Sequence, residues 1–172
     1  DYNGPVVLDA DGLNTMCRFD MDLAELKNRV SPVILTPHPG EGDRLLDALG
    51  EKMLRCSGRL EAVEFLCEKT GRTVLLKGAG TLVSAPGEKT YINTTGNPGM
   101  ATGGSGDVLT GVIAALAAYG LSAADAARTG AFMHGLAGDI AAESLGQWGM
   151  TSLDIEMALP EAFKRITEEK HT

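Results

Sequence analysis

The stretch Asn97-Pro98-Gly99-Met100-Ala101-Thr102-Gly103-Gly104-Ser105-Gly106-Asp107 leads directly into residues 107–119, which are almost wholly apolar and have the spacing of a helix. Glycines allow a backbone to turn so that several amides point the same way. The helix that follows adds its unpaired N–H groups and the positive end of its dipole. The pattern therefore predicts a cradle for an anion such as phosphate.

Asp107 stands at the mouth of this predicted cradle. A carboxylate repels phosphate, so it is a poor choice for phosphate binding alone. It suits a base that takes a proton from a hydroxyl as that hydroxyl meets a phosphoryl group. The alternative is an ordinary first-turn acid, which stabilises a helix by about 0.3–1 kcal/mol through the dipole. The spacing alone leaves both interpretations open.

Around this stretch, short apolar runs alternate with amphipathic segments. The predicted strands cover residues 5–8, 33–35 and 73–77, with a hairpin of 81–84 and 89–93; the predicted helices cover 22–30, 41–49, 60–68, 107–119, 123–145 and 153–166. This alternation predicts an α/β domain with a mostly parallel sheet. Ligands bind beyond the carboxyl ends of the strands in such sheets, so we expect the polar segments 9–14, 36–41 and 77–81 along one edge.

Two of these polar segments carry residues that suit phosphate chemistry. Lys77 ends a strand and can reach a phosphate as a point charge, while Gly78 and Gly80 let a ligand approach the backbone. The alternative is an ordinary turn with an exposed lysine. His38 lies between two prolines, and Glu41 could orient a water molecule that ligates magnesium or could be the first-turn acid of the next helix.

Other polar residues give weaker signals. Asp9, Asp11 and Asn14 follow the first strand, where they could bind a ligand or cap the next segment. His134 falls inside an apolar helix and is interpreted as a buried structural histidine. His171 lies in a charged tail and carries no functional signal.

Composition excludes several classes of protein. The 172 residues carry a net charge of -8 with only 15 basic residues, which argues against a nucleic-acid or membrane-surface protein. Cys17, Cys56 and Cys67 are odd in number and lack CxxC spacing, so we interpret them as reduced thiols. No apolar run approaches the roughly 18 residues of a membrane span. We therefore expect a cytoplasmic protein.

Four segments together resemble a known family. The run NTTGNPGMATGGSGDVLTG (93–111) closely resembles the signature of the ADP-dependent NAD(P)H-hydrate dehydratases. The segments VLDADGLN (7–14), TPHPGE (36–41) and LLKGAGT (75–81) occur in that family in the same order. The resemblance extends from Pro5 to about residue 153, over most of the chain.

The resemblance implies a fold and an activity. The family has a ribokinase-like fold, a three-layer α/β/α sandwich, and repairs NADH and NADPH whose nicotinamide ring has taken up water. Its members dehydrate the (6S)-hydrate, and the bacterial members use ADP with Mg²⁺ and release AMP and phosphate. A separate epimerase activity supplies the (6S)-hydrate from the (6R) form, and in several bacterial members it is fused to the dehydratase.

The resemblance also implies roles for individual residues. Asp107 matches the acidic residue at the substrate hydroxyl and is the expected base, and His38 matches a substrate-contacting residue. Gly106 matches a residue at the nucleotide phosphate, and Glu41 an acid that binds magnesium indirectly. The residues that match the nucleotide-binding segment are Lys77, Gly78, Ala79, Gly80 and Thr81.

Two further expectations concern organisation. Since family domains are longer at the amino end, we expect residues 1–172 to be the C-terminal part of one dehydratase domain, and we expect a homo-oligomer, a tetramer. A ribokinase-like kinase that phosphorylates the alcohol of a vitamin precursor is the alternative enzyme. A nucleotide-binding regulatory module without turnover is the alternative from another class.

Overall fold

The computed structural model describes residues 2–19 and 21–168, apart from the side chains of residues 55 and 56. The interpretations of Cys56 and His171 concern groups outside this described part. Cys17 and Cys67 are free thiols, as expected for reduced cysteines. None of the helices within the described part is long and apolar enough to cross a membrane.

Helices alternate with strands in the first half of the chain, and helices dominate the second half. The strands are β1 (Val6–Leu8), β2 (Val33–Leu35), β3 (Thr73–Leu76), β4 (Leu82–Ser84) and β5 (Tyr91–Ile92). The α-helices are α1 (Asp11–Arg18), α2 (Pro39–Ala48), α3 (Arg59–Thr70), α4 (Ser105–Ala118), α5 (Ala123–Leu145) and α6 (Ser152–Glu168). Three short 3-10 helices cover Leu23–Asn28, Lys52–Cys56 and Pro98–Met100.

The five strands form one sheet in sequence order, β1-β2-β3-β4-β5. The pairs β1–β2 and β2–β3 are parallel, whereas β4 and β5 are added as an antiparallel hairpin. The carboxyl ends of β1, β2 and β3 therefore lie at the same edge, where Asp9, Thr36 and Lys77 follow the strands. This arrangement confirms the predicted α/β class and its parallel core.

Alternate strand residues enter two separate cores. Leu35 and Val74 pack with α1, α2 and α3 on one face of the sheet. Ile34 and Leu75 pack with Ile113 of α4 and the alanines of α5 on the other. Because β2 and β3 are buried on both faces, they appear in the sequence as continuous apolar runs rather than as alternating ones. The result is three layers, with helices on both sides of the sheet.

Two local predictions were wrong. Residues 11–14, interpreted from sequence as part of a polar stretch, belong to α1, which has Asp11 in its first turn, Arg18 in its last and Leu13 and Met16 buried. These charges complement the helix dipole and outweigh the polar composition. The segment 22–30 is not a regular helix: a 3-10 helix ends at Asn28, and Val30 is fully exposed rather than on the buried stripe.

Candidate active site

The glycine-rich stretch ends in an open helix N-terminus. Gly104 is the N-cap of α4 and has φ 86°, a left-handed conformation that favours glycine. No side chain forms a capping hydrogen bond there. Capping side chains normally satisfy the first N–H groups of a helix, and an anion can take their place. The start of α4 thus has no side-chain cap, although the N–H groups of Ser105 and Asp107 bond to backbone carbonyls at 3.3 and 3.0 Å; the anion cradle stays a prediction.

Helix α5 holds the preceding loop in place. Asp139 accepts hydrogen bonds from the Gly96 N–H (2.8 Å) and from Asn97 Nδ2 (2.9 Å). Thr95 Oγ1 donates to the Phe132 carbonyl at 2.9 Å. The sequence did not single out Asp139, although a carboxylate flanked by small and apolar helix residues could have signalled it. These bonds hold the loop that leads into α4 against α5. The protein therefore orders this loop through its own contacts.

The interpretation of His134 as a buried structural histidine is confirmed. The side chain is 8% exposed, and its Nε2 lies 3.4 Å from Ser105 Oγ at the start of α4. Burial lowers the pKa of His134 to about 4, against a smaller opposing effect of a hydrogen bond with the Ser105 backbone. The imidazole is therefore neutral at physiological pH and packs against the cradle as an uncharged group.

The segments that follow the three parallel strands meet around the ammonium of Lys77. Asp9 accepts a hydrogen bond from Lys77 Nζ at 2.6 Å through one oxygen and from Thr110 Oγ1 at 2.9 Å through the other. Asp9 and Lys77 are one-tenth and about one-fifth exposed, respectively. Glu41 Oε2 lies 3.9 Å from the same ammonium. The polar segments after β1, β2 and β3 therefore converge, as the sequence predicted, and Asp9 binds Lys77 rather than capping α1.

Lys77 and Gly106 are neighbours across this site. A Cβ atom placed on Gly106 would lie 3.4 Å from Lys77 Nζ, so only a residue without a side chain leaves the space open. The side chain of Lys77, at the start of the turn 77–81, therefore lies against the first turn of α4. This brings together two residues that the family resemblance assigns to nucleotide binding.

His38 and Glu41 form a reciprocal cap on α2. His38 Nδ1 accepts from the N–H groups of Gly40 (3.0 Å) and Glu41 (3.3 Å), and Glu41 Oε2 accepts from the His38 N–H at 2.8 Å. Since Nδ1 accepts, the proton of a neutral imidazole is on Nε2, which lies 3.4 Å from Glu41 Oε1. The His38 side chain is half exposed, whereas Glu41 is buried. Helix capping thus fixes the direction in which His38 faces solvent.

Asp107 is exposed in the first turn of α4. It lines an apolar groove of about 770 Å³ between α4 and α6, together with residues such as Val108, Leu159 and Phe163. The sequence did not predict this groove, since it depends on how α6 packs against α4. The carboxylate is thus open to a ligand while its backbone belongs to the cradle.

Two carboxylates lie near the ammonium of Lys77 at this edge of the sheet. No group of three or more His, Cys, Asp or Glu residues in the described part of the chain could hold a metal ion by itself. Mg²⁺ is commonly bound by one or two carboxylates together with substrate phosphates and water. Glu41 and Asp9 supply two carboxylates against the single ammonium of Lys77, so this edge carries net negative charge.

The Asp9–Lys77 ion pair is expected to couple strongly. Because both partners are mostly buried, a double-mutant cycle with Asp9→Asn and Lys77→Gln should give a coupling of roughly 1–3 kcal/mol in the free energy of unfolding in urea. The exposed pair of Arg165 and Glu143 is the control, and its cycle should give a much smaller coupling. Equal couplings for the two pairs would contradict the proposed importance of the buried pair.

Stability is expected to fall in acid because of His134. Its pKa is about 4 in the folded protein and near 6.5 when unfolded, so between these values the unfolded state binds more protons. The free energy of unfolding should therefore decrease as pH falls through this window, by as much as roughly 3 kcal/mol. His134→Gln should flatten the profile in urea titrations at pH 4.5–7. The control variant Ser105→Ala retains the imidazole and should retain the wild-type dependence of the free energy of unfolding on pH. An unchanged pH dependence in His134→Gln would show that His134 is not its cause.

Comparison with known proteins identifies relatives of this site and fold. A family model for NAD(P)H-hydrate dehydratase matches residues 1–161. The chain is 46% identical over 165 residues to a bifunctional NAD(P)H-hydrate repair enzyme of Thermofilum pendens, covering 96% of this chain and 30% of that protein. It is 44% identical over 165 residues to an ADP-dependent (S)-NAD(P)H-hydrate dehydratase of Neisseria meningitidis serogroup B, covering 95% of this chain and 55% of that protein.

Solved structures similar to this chain lead to the same family and fold. An ADP/ATP-dependent NAD(P)H-hydrate dehydratase from Bacillus subtilis, co-crystallised with ATP/Mg²⁺, superposes with a TM-score of 0.78 and 28% identity over 95% of this chain and 55% of that one. A ribokinase from Thermotoga maritima, at 18% identity, has a TM-score of 0.53 over 91% of this chain and 56% of that one, and so shares the fold alone. The predicted ribokinase-like fold and the family resemblance are confirmed. The chain belongs to the NAD(P)H-hydrate dehydratase family.

Proposed function

We propose that this chain carries the catalytic residues of an ADP-dependent dehydratase that converts the (6S)-hydrate of NADH or NADPH to the reduced cofactor, with release of AMP and phosphate. The observation that carries the proposal is the uncapped N-terminus of α4, with the exposed carboxylate of Asp107 in its first turn. An anion cradle and an open base on one helical turn are what phosphoryl transfer to a hydroxyl requires. The activities for which the relatives are named support the choice of substrate.

Dehydration benefits from a nucleotide because hydroxide is a poor leaving group. In the proposed reaction, Asp107 takes the proton of the ring hydroxyl as its oxygen attacks the β-phosphorus of ADP, and AMP leaves. The lone pair of the ring nitrogen then expels phosphate by breaking the carbon–oxygen bond. Loss of a proton from the adjacent ring carbon restores the dihydronicotinamide. The overall change is hydrate plus ADP to reduced cofactor, AMP and phosphate.

The remaining residues bind and orient the two substrates. The turn Lys77–Thr81 binds the nucleotide, and Gly106 lets its phosphates approach the first amides of α4. His38 contacts the hydrate through its half-exposed ring, whose orientation the α2 cap fixes. Lys77 remains paired with Asp9. We therefore assign two roles to Lys77: it offsets carboxylate charge at this edge, and it attracts the phosphates of the nucleotide.

Mg²⁺ belongs to this proposal as a partner of the nucleotide. Glu41 is the carboxylate assigned to it, acting through water, since the two oxygens of Asp9 are bonded to Lys77 and Thr110. When bound, the ion neutralises phosphate charge that otherwise repels the attacking oxygen. Glu41 itself stays bonded to the His38 N–H and keeps the α2 cap closed.

We also propose a partner activity, an oligomeric state and a location for the enzyme. The bifunctional relatives carry a repair activity in one longer protein, and this supports a working partnership with an NAD(P)H-hydrate epimerase. The family resemblance also suggests a homo-oligomer, a tetramer. The substrates are soluble cofactors of metabolism, so the proposed location is the cytoplasm.

The proposed base is tested by replacing one carboxylate with its amide. In the full-length protein, Asp107→Asn should lower the conversion of hydrate to NADPH by a factor of roughly 10²–10⁴, the contribution typical of a general base. The reaction is followed through the absorbance of the reduced nicotinamide, with ADP and Mg²⁺ present. Asp125 is the first-turn acid of α5, and Asp125→Asn should retain the wild-type rate.

Three outcomes would contradict parts of this proposal. Near-wild-type turnover by Asp107→Asn would reject the base, and higher turnover with ATP than with ADP at matched Mg²⁺ would reject the nucleotide preference. Accumulation of a stable phosphorylated alcohol would favour the small-molecule kinase over the dehydratase.

A further inference from the structure

We infer that Arg59 is a positioning residue for nucleotide binding, because it holds the turn Lys77–Thr81 in the conformation that presents its amides. The inference rests on the proposed function, which assigns the nucleotide to this turn. Nothing in the sequence motifs pointed to Arg59, since it lies 18 residues before Lys77 and outside the glycine-rich segments.

The guanidinium of Arg59 lies inside the turn. Arg59 is the first residue of α3, and its Nη2 donates to the carbonyl oxygens of Leu76 (3.2 Å) and Lys77 (3.3 Å). Its Nη1 donates to the carbonyl oxygen of Ala79. One side chain therefore binds three carbonyl groups within four consecutive residues, which a lysine with a single nitrogen cannot do in the same geometry.

These carbonyl bonds determine where the neighbouring amides point. In a planar trans peptide the C=O and N–H bonds point in opposite directions, and no peptide bond of the described chain is cis. With the Lys77 and Ala79 carbonyls turned towards Arg59, the N–H groups of Gly78 and Gly80 are turned away from it. Lys77 N–H is already bonded to the Pro37 carbonyl at 2.8 Å. Two donors of the turn are thus presented on the side opposite the guanidinium.

The turn and the arginine are fitted to each other. Gly78 has φ 138°, and a Cβ placed there would lie 3.1 Å from Arg59 Nη2 and 3.3 Å from Cζ. Arg59 Nε is buried without a hydrogen-bond partner. Since that donor is left unsatisfied, the three carbonyl contacts of the terminal nitrogens are what fixes the side chain.

Arg72 provides a matched control at the opposite end of β3. Its Nε donates to the Leu26 carbonyl at 2.8 Å, and its Nη2 donates to the Arg29 carbonyl. Arg72 therefore also donates to two backbone carbonyls. Arg72 precedes β3, however, whereas the turn Lys77–Thr81 follows β3. Replacement of Arg72 should affect stability without affecting the turn.

The test compares Arg59→Lys and Arg72→Lys in the full-length protein by calorimetric titration with ADP and by kinetics. We expect Arg59→Lys to weaken ADP binding roughly tenfold or more, because it removes two or three charge-assisted hydrogen bonds from the turn. KM for ADP should rise more than kcat falls. Arg72→Lys should lower the thermal midpoint but keep the wild-type Kd for ADP.

Amide exchange in the wild-type protein gives a second measurement that does not depend on the folding of any variant. Bound ADP should slow hydrogen exchange at Gly78 and Gly80, while Gly71 and Gly87, which lie outside the turn, should exchange as before. Unchanged exchange at Gly78 and Gly80 would overturn the inference. So would an Arg59→Lys variant that binds ADP like the wild type, or equal weakening by the two lysine variants.

The proposed function can fail separately. If the wild-type protein binds ADP but does not convert the hydrate, the dehydratase proposal is wrong, and the Arg59 comparison still decides the role of the arginine. If the wild-type protein does not bind ADP at all, both the dehydratase proposal and the role of Arg59 in nucleotide binding are refuted.

Discussion

One carboxylate ties together the parts of the molecule that form the site. Asp9 follows β1, yet it binds the ammonium of Lys77 after β3 and the hydroxyl of Thr110 in α4. Strand ends and a helix that are separated by up to 101 residues in sequence therefore meet at two oxygen atoms. Because a buried charge is costly when unpaired, loss of either partner disturbs more than one element. The polar edge of the sheet and the start of α4 are consequently held in a fixed relation.

The site is built from backbone groups that other residues hold in place. Helix α5 fixes the loop before α4 through Asp139, and Arg59 fixes the turn after β3. In the proposed reaction few side chains act directly on a ligand, chiefly Asp107 and His38. This division explains the concentration of glycine in the two loops, since backbone amides can meet phosphate only where no side chain intervenes. In the same proposal, the chemistry takes place on the exposed face of the otherwise packed helix α4.

The sequence predicted what depends on local pattern. Apolar runs located the strands, and the glycine-rich stretch located the uncapped start of α4, because both signals lie within a few consecutive residues. It could not predict pairings over long distances. Lys77 looked like an unpaired cation until its contact with Asp9 was known, and Arg59 looked like a helix residue of no special interest. Residues 11–14 show the opposite failure, since their polar composition concealed the start of the amphipathic helix α1.

The central claim is that the ring oxygen of the hydrate is phosphorylated before it leaves. Ribokinase-like folds share a cradle for phosphate, so geometry alone serves a kinase as well as a dehydratase, and the fate of that oxygen distinguishes them. The decisive measurement uses hydrate that carries ¹⁸O in its hydroxyl group, with ADP, Mg²⁺ and the full-length protein. The account predicts that the label appears in the released inorganic phosphate, seen as an isotope shift in ³¹P NMR. Recovery of the label in water would contradict it.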